Sequence, residues 1–218
     1  SEGDRLVDRT ALLPQSVAFC HGASAGDVDK AGRASIVMNT VGGVVNDAGG
    51  YPPYPPTYML KWNGAGFGWT PFPLETGSRT GKPWGFYTGT GDFNGDGFAD
   101  VAGEASVLMG GTSLTAKALT PSAVETDYGS YNGTVVGDVN GDGLDDFVKV
   151  QSLKATQAGS AFSLYLGDKS RGLVEKIDAF PAVASYNITD FGLLISLVDI
   201  NFDGAPDIET FGRTNNSG

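Results

Sequence analysis

Three stretches of this 218-residue chain carry side-chain oxygens at relative positions 1, 3, 5 and 9. They are Asp92, Asn94, Asp96 and Asp100; Asp138, Asn140, Asp142 and Asp146; and Asp199, Asn201, Asp203 and Asp207. Carboxylates and an Asn carbonyl, with no nitrogen or sulfur ligand among them, suit a hard cation that takes about six to eight oxygens at flexible geometry, so the ion implied is Ca²⁺. Position 7, occupied by Phe98, Leu144 and Ala205, would add a backbone carbonyl. Gly97, Gly143 and Gly204 fill position 6, where a chain wrapping an ion needs backbone angles costly to other residues. About three Ca²⁺ sites are therefore expected.

Two other readings of the motif can be weighed. An EF-hand needs Glu at position 12 and flanking helices, but Gly103, Lys149 and Thr210 stand there. Asp, Asn and Gly also build ordinary turns without any metal, and three copies in one register weigh against that reading. A fourth, degenerate copy opens at Asp27 and keeps Asp29, but positions 5 and 9 have become Ala31 and Ser35 and two cations, Lys30 and Arg33, have entered. This loop is expected to keep its turn and lose its ion.

The elements that must hold these loops read as strands. An aromatic and small-residue stretch precedes each loop and a short apolar run follows it: Phe19–Ala25 and Ser35–Asn39, Trp84–Gly91 and Ala99–Gly103, Tyr128–Gly137 and Asp146–Val150, Phe191–Val198 and Pro206–Thr210. Further hairpins are expected from Tyr58–Trp62 through Asn63–Gly66 into Phe67–Pro71, from Ser106–Met109 through Gly110 and Gly111, and from Phe162–Leu166 through 167–172. The natural count is four strands per repeat. The first positions of successive loops are separated by 65, 46 and 61 residues, and four-stranded units recurring at such intervals describe propeller blades.

At this point the residues resemble a known family. The aromatic-Gly lead, the Gly-Asp-x-Asn-Gly-Asp-Gly-x-x-Asp loop and the small apolar tail look like FG-GAP/VCBS repeats, as in integrin α-subunit propellers and many secreted microbial proteins. Phe191-Gly192 before Asp199 is the closest lead, with Gly85-Phe86 and Tyr128-Gly129 looser, and Trp62–Phe67 resembles the Asn-Gly-x-Gly-x-Phe hairpin of VCBS repeats. The resemblance implies an all-β fold: a β-propeller of four-stranded blades, with three full repeats (about 17–80, 81–126 and 127–180) and a partial fourth (181–218). It further implies Ca²⁺ held by the loop residues named above, with Asp27 and Asp29 a remnant. Such propellers are usually seven-bladed, so this chain falls short. Residues 1–16, through Asp4–Leu13, are expected to offer one closing strand. Three accounts stay open: a fragment, a compact ring of nearly four blades, or a blade completed by another subunit through an open edge.

Composition narrows the function classes. Thirty-three Gly and 18% charged residues favour a turn-rich β architecture. The formal charge of −11 argues against nucleic acid as a partner, and no apolar run reaches membrane-spanning length. With three bound Ca²⁺ that charge would fall to −5. A single cysteine, Cys20, cannot close an internal disulfide, and the one histidine, His21, follows it on a strand where neighbours point to opposite faces. Glu75, Glu104, Glu125, Glu175 and Glu209 are scattered, and no nucleophile elbow, metalloprotease helix or phosphate loop appears, so no catalytic residue is nominated.

The Pro-rich segment 47–73 holds Tyr51, Tyr54, Trp62 and Trp69, aromatic candidates for stacking on a sugar ring or a peptide; packing between blades is the alternative use. Two Asn-x-Thr sequons, at Asn132 and Asn187, are compatible with export. The expected function is a secreted or cell-surface, calcium-stabilised module binding glycan or protein. A self-assembling surface or fibre subunit and an auxiliary domain of a larger secreted enzyme are the alternatives.

Overall fold

The computed structural model describes residues 7–14, 18–44, 58–71, 88–103, 106–119, 134–150, 162–176, 179–180 and 194–211. Within them the chain is all-β, and its first sheet pairs β1 (Ala18–Gly26), β2 (Ser35–Val44), β3 (Tyr58–Trp62) and β4 (Phe67–Pro71) in that order. The second pairs β5 (Gly89–Gly91), β6 (Asp100–Ala102), β7 (Ser106–Met109) and β8 (Thr115–Ala118). The third pairs β9 (Thr134–Gly137), β10 (Asp146–Val150), β11 (Phe162–Asp168) and β12 (Gly172–Lys176), and the fourth has β13 (Leu194–Val198) and β14 (Asp207–Phe211). Every pairing is antiparallel between chain neighbours.

Four-stranded repeats followed by a two-stranded remainder therefore stand as expected. The first strands β1, β5, β9 and β13 lie side by side, yet the described residues form four separate sheets and no closed ring or barrel. Among the described residues no helix is long and apolar enough to cross a membrane.

Alternation along the short strands explains how the sheets stack. In the second sheet Val101 and Leu108 face one way and pack with Val28, Val37 and Met59 of the first; Ala102 and Val107 face the other way and pack with Phe147 and Tyr165 of the third. Phe93, Phe147 and Val101 are fully buried, and burying each such side chain is worth about 1.5–3 kcal/mol. The sheets are thus held by period-2 apolar faces.

Backbone bonds stitch the first loop to the second unit and the second loop to the third. Asp27 O accepts from Ala99 N at 3.2 Å and Asp92 O accepts from Asp145 N at 3.2 Å, so position 1 of one loop takes the amide at position 8 of the next. Position 2 likewise accepts from the following hairpin: Gly111 N to Val28 O at 2.8 Å and Asp168 N to Phe93 O at 2.9 Å. Such approach leaves no room for side chains. A Cβ on Gly167 would lie 2.7 Å from Asp145 O and 3.0 Å from Phe93 O.

One expectation changes here. Thr10–Leu12, inside the segment expected to close a blade, forms a 3-10 turn rather than a strand, because Asp8 Oδ1 accepts from both Thr10 N (2.8 Å) and Thr10 Oγ1 (2.6 Å) and bends the chain. The backbone of β1 also shifts register on either side of Cys20.

Candidate metal loops

The loops of the second and third repeats fold by the same hydrogen bonds, atom for atom, and the fourth shares those from positions 5 and 6. In the second repeat Asp92 Oδ1 accepts from Gly95 N (2.8 Å) and Asp96 N (3.0 Å), and Asp92 Oδ2 accepts from Gly97 N (2.8 Å). Asp138 does the same with Gly141 N (2.7 Å), Asp142 N (3.1 Å) and Gly143 N (2.8 Å). Asp199 takes Asp203 N (3.1 Å) and Gly204 N (2.9 Å). Gly97, Gly143 and Gly204 sit at φ of 84°, 85° and 90°, the left-handed region that the turn demands. The amides of Gly143, then Gly141 and Asp142, hold the Asp138 carboxyl below the usual carboxylate range, which keeps it ionised and able to bind a cation.

The middle positions turn toward one another. Asn94 Nδ2 donates to Asp96 Oδ2 at 3.1 Å, Asn140 Nδ2 to Asp142 Oδ2 at 3.0 Å and Asn201 Nδ2 to Asp203 Oδ2 at 3.0 Å. Position 5 then accepts from position 7, through Phe98 N, Leu144 N and Ala205 N, each at 2.9 Å. Side chains 1, 3 and 5 thus gather on an outward turn.

Position 9 sits elsewhere. Asp100 is fully buried, its Oδ2 accepting from Phe93 N (3.1 Å) and its Oδ1 from Gly110 N (2.7 Å). Asp146, also fully buried, accepts from Val139 N (2.9 Å) and Gly167 N (2.8 Å). Asp207 accepts from Ile200 N at 3.0 Å. Position 9 thereby ties each loop to its own sheet. Burial pushes the Asp100 carboxyl up to about 6 against the pull of its two amides, and burial raises Asp146 in the same sense.

Whether these residues fit Ca²⁺ turns on their donors. All are oxygens, and a carboxylate oxygen that accepts one N–H keeps a second lone pair, so positions 1, 3 and 5 and the carbonyls of Phe98, Leu144 and Ala205 suit a hard cation. Among the described residues no three His, Cys, Asp or Glu side chains stand close enough together to form a metal-binding group; the donor set rests on Asn and backbone oxygens as much as on carboxylates.

In the degenerate loop the turn persists. Asp27 accepts from Ala31 N (2.8 Å) and Gly32 N (2.9 Å), and Gly32 has φ 71°. Asp29 pairs instead with the ammonium of Lys61 on β3, a partner the motif alone did not signal. Asp145, at position 8, was also missed; its Oδ2 accepts from Asp92 N at 2.8 Å, locking the second loop to the third.

Of the aromatic candidates, Tyr51 and Tyr54 lie outside the described residues. Trp62 opposes Phe67, with ring centroids 5.5 Å apart and edge-on, and Trp69 opposes Leu60, which puts all four on one face of the first sheet. A cleft of about 230 Å³ lies between the second and third sheets, lined by Asn94, Met109, Thr115, Lys117, Lys169 and Ser170. Set against known proteins, the chain matches no family model, and no curated protein matches it.

Proposed function

We propose that this chain is a calcium-organised module of FG-GAP/VCBS β-propeller type, secreted or displayed at a cell surface, that binds a glycan or protein partner. The observation that carries the metal reading is the repetition of one oxygen-only turn in three loops, with the position-5 and position-6 amides on the position-1 carboxylate and the same pairing of positions 3 and 5. Three oxygen-bearing side chains repeated in register on one outward turn support that reading. The side-by-side first strands of successive sheets support the propeller reading. The cleft beside Asn94 gives a polar ligand a place next to a metal loop, and the absence of a nominated acid, base or nucleophile leaves binding as the better reading than catalysis.

Calorimetric titration with CaCl₂ tests it, with sites expected at extracellular-type affinities on the order of 10⁻⁴ to 10⁻³ M. At ten times the dissociation constant each site adds roughly 1.4 kcal/mol to the unfolding free energy. The melting temperature therefore rises in calcium and falls in EDTA, and Asp142→Ala removes one site and shrinks that difference. No heat of binding and no calcium-dependent shift at all would refute the metal reading. Calcium-dependent retention on a glycan array then tests the partner class.

A further inference from the structure

The cleft of about 230 Å³ between the second and third sheets has a lining that breaks the pattern of the faces around it. β8 is an edge strand of the second sheet, and pairing sets its Lys117 opposite Val107 and its Thr115 opposite Met109. Residues opposed across two strands share a face, and Val107 and Met109 face the third sheet, where they pack with Phe147 and Tyr165. Thr115 and Lys117 therefore extend a core-facing surface with an exposed hydroxyl and an exposed ammonium.

From the third sheet the turn after β11 brings Lys169 and Ser170 to the same cleft. Asp168 fixes that turn, its Oδ1 accepting from Ser170 N (2.9 Å), Ser170 Oγ (2.6 Å) and Arg171 N (2.8 Å). The stem of Lys169 runs over the second loop, for a Cβ on Gly95 would lie 3.7 Å from its Cε and 4.0 Å from its Cγ. A stem packed in this way still leaves its charged head in water. Met109 supplies the apolar part of the lining; it is buried against Gly172, where a Cβ would lie 2.7 Å from its sulfur.

In a chain of charge −11 a cation has carboxylates to choose from. Lys61 takes Asp29, and Lys30 lies over the Phe98 ring. Lys117 and Lys169 have neither an ion pair nor a ring contact among the described residues. The carboxylates of the adjoining turns are engaged by other donors: Asp168 within its own turn, Asp96 by Asn94 Nδ2 and Phe98 N. A lysine set inward on an edge strand also discourages edge-to-edge pairing, which would account for Lys117 alone. Lys169 belongs to a turn and reaches the same cleft from another sheet.

We infer that this cleft binds an acidic sugar, with the sugar carboxylate between the Lys117 and Lys169 ammonium groups. The Thr115 and Ser170 hydroxyls can each accept a hydrogen bond from ring hydroxyls, and the Met109 side chain suits the C–H face of the ring. The volume is below the roughly 300 Å³ at which pockets for drug-sized ligands begin, so the cleft has room for one ring. An acidic peptide shares the charge, but an extended backbone needs a run of N–H and C=O partners, and the lining offers side chains. The inference rests on the binding-module reading and gives it a ligand class. The same chemistry has two sources, a free uronate and a uronate within a polysaccharide.

Titration of the full chain at one fixed free calcium concentration, followed by the NMR amide shifts, tests it with sodium glucuronate, glucose, sodium acetate, a uronate trisaccharide and an oligoglutamate peptide. Glucuronate should shift the amides of Thr115, Lys117, Lys169 and Ser170, and glucose and acetate should each bind about tenfold more weakly or not at all. Lys117→Gln and Lys169→Gln should each weaken glucuronate binding about tenfold, a change of roughly 1.4 kcal/mol. Lys176→Gln, an exposed lysine outside the cleft, should leave binding unchanged. Both cleft lysines are exposed, so unaltered melting temperatures verify that the variants fold. Tighter binding of the trisaccharide than of glucuronate assigns the site to a polysaccharide and equal binding to the free sugar acid; either outcome supports the inference. Equal loss from Lys176→Gln means general charge attraction and overturns it, as does glucuronate binding that neither cleft variant weakens. Glucose bound as tightly as glucuronate, or the peptide bound in place of the sugars, overturns the acidic-sugar assignment and leaves the binding-module reading standing. No binding of these probes overturns the inference, and a glycan or protein found on an array would then keep the broader reading alive without this cleft.

Discussion

Lys61 on β3 sets its ammonium against the carboxylate of Asp29, position 3 of the first loop, while the other Asp29 oxygen is buried without a hydrogen-bond partner. The chain's own cation thus stands where the other three loops present oxygens to solvent. Asp29 is 13% exposed and Lys61 34%. Lys61 can swing to water; Asp29 cannot.

That asymmetry sets the first prediction. Removing one partner of a fully buried pair costs about 3–5 kcal/mol, and the partial exposure of Lys61 reduces this, so Lys61→Met should cost about 2 kcal/mol in urea unfolding. Asp29→Asn, which strands only the lysine able to reach solvent, should cost less. Calcium should rescue neither, since Ala31 and Ser35 leave the loop without carboxylates at positions 5 and 9. Equal costs, or rescue of Lys61→Met by calcium, would contradict the assignment.

Glycines at two kinds of place should respond differently. Gly97 has φ 84° and open space where a Cβ would go, so Gly97→Ala costs only the backbone conformation, about 1 kcal/mol. Gly167 carries no such φ, but its Cβ would lie 2.7 Å from both Asp145 O and the Leu144 side chain. Gly167→Ala must therefore push the third-sheet hairpin off the loop beneath it, costing about 3 kcal/mol as overpacking does. Urea midpoints in EDTA compare the two without interference from a metal. The reverse order would mean that the junctions are looser than drawn.

What the sequence discloses follows from the range of the interaction. Tyr58–Trp62, Phe67–Pro71 and Asp146–Val150 were legible because strand alternation and Asn-Gly turns act over a few residues. The persistence of the Asp27 turn was legible because Gly32 and the Asx geometry are local. Lys61 was not, since it lies far along the chain from Asp29 and meets it only through the β2–β3 pairing. The role of Asp100 was read only as a ligand, because the amide of Gly110 that occupies its Oδ1 belongs to a different hairpin. Nor could the Asp8–Thr10 bend be seen, since an extended strand and a 3-10 turn accommodate that sequence equally until the chain around it is placed.

The buried carboxylate of Asp100 gives a pH dependence whose sign can be worked out. Burial raises its folded-state pKa to about 6, against about 3.9 in an unfolded chain. Between those values the folded protein binds the proton more tightly, so protonation stabilises the fold, and this contribution is lost as pH rises from about 4 through about 6. In EDTA, with the amides of Phe93 and Gly110 as the partners of Asp100 among the described residues, unfolding free energy should therefore fall over that window from this group and level off above it. Asp100→Asn cannot ionise and should show a flatter profile, although one of the two amides then loses its acceptor and the variant is less stable at low pH by about 1–3 kcal/mol. Calcium should oppose the decline in the parent chain, since a nearby cation favours the ionised carboxylate. Urea unfolding of both proteins from pH 4 to pH 7 measures the difference. A parent chain whose stability rises relative to Asp100→Asn across the window would show that the two amides outweigh the desolvation, and that this carboxylate is held ionised by the fold itself.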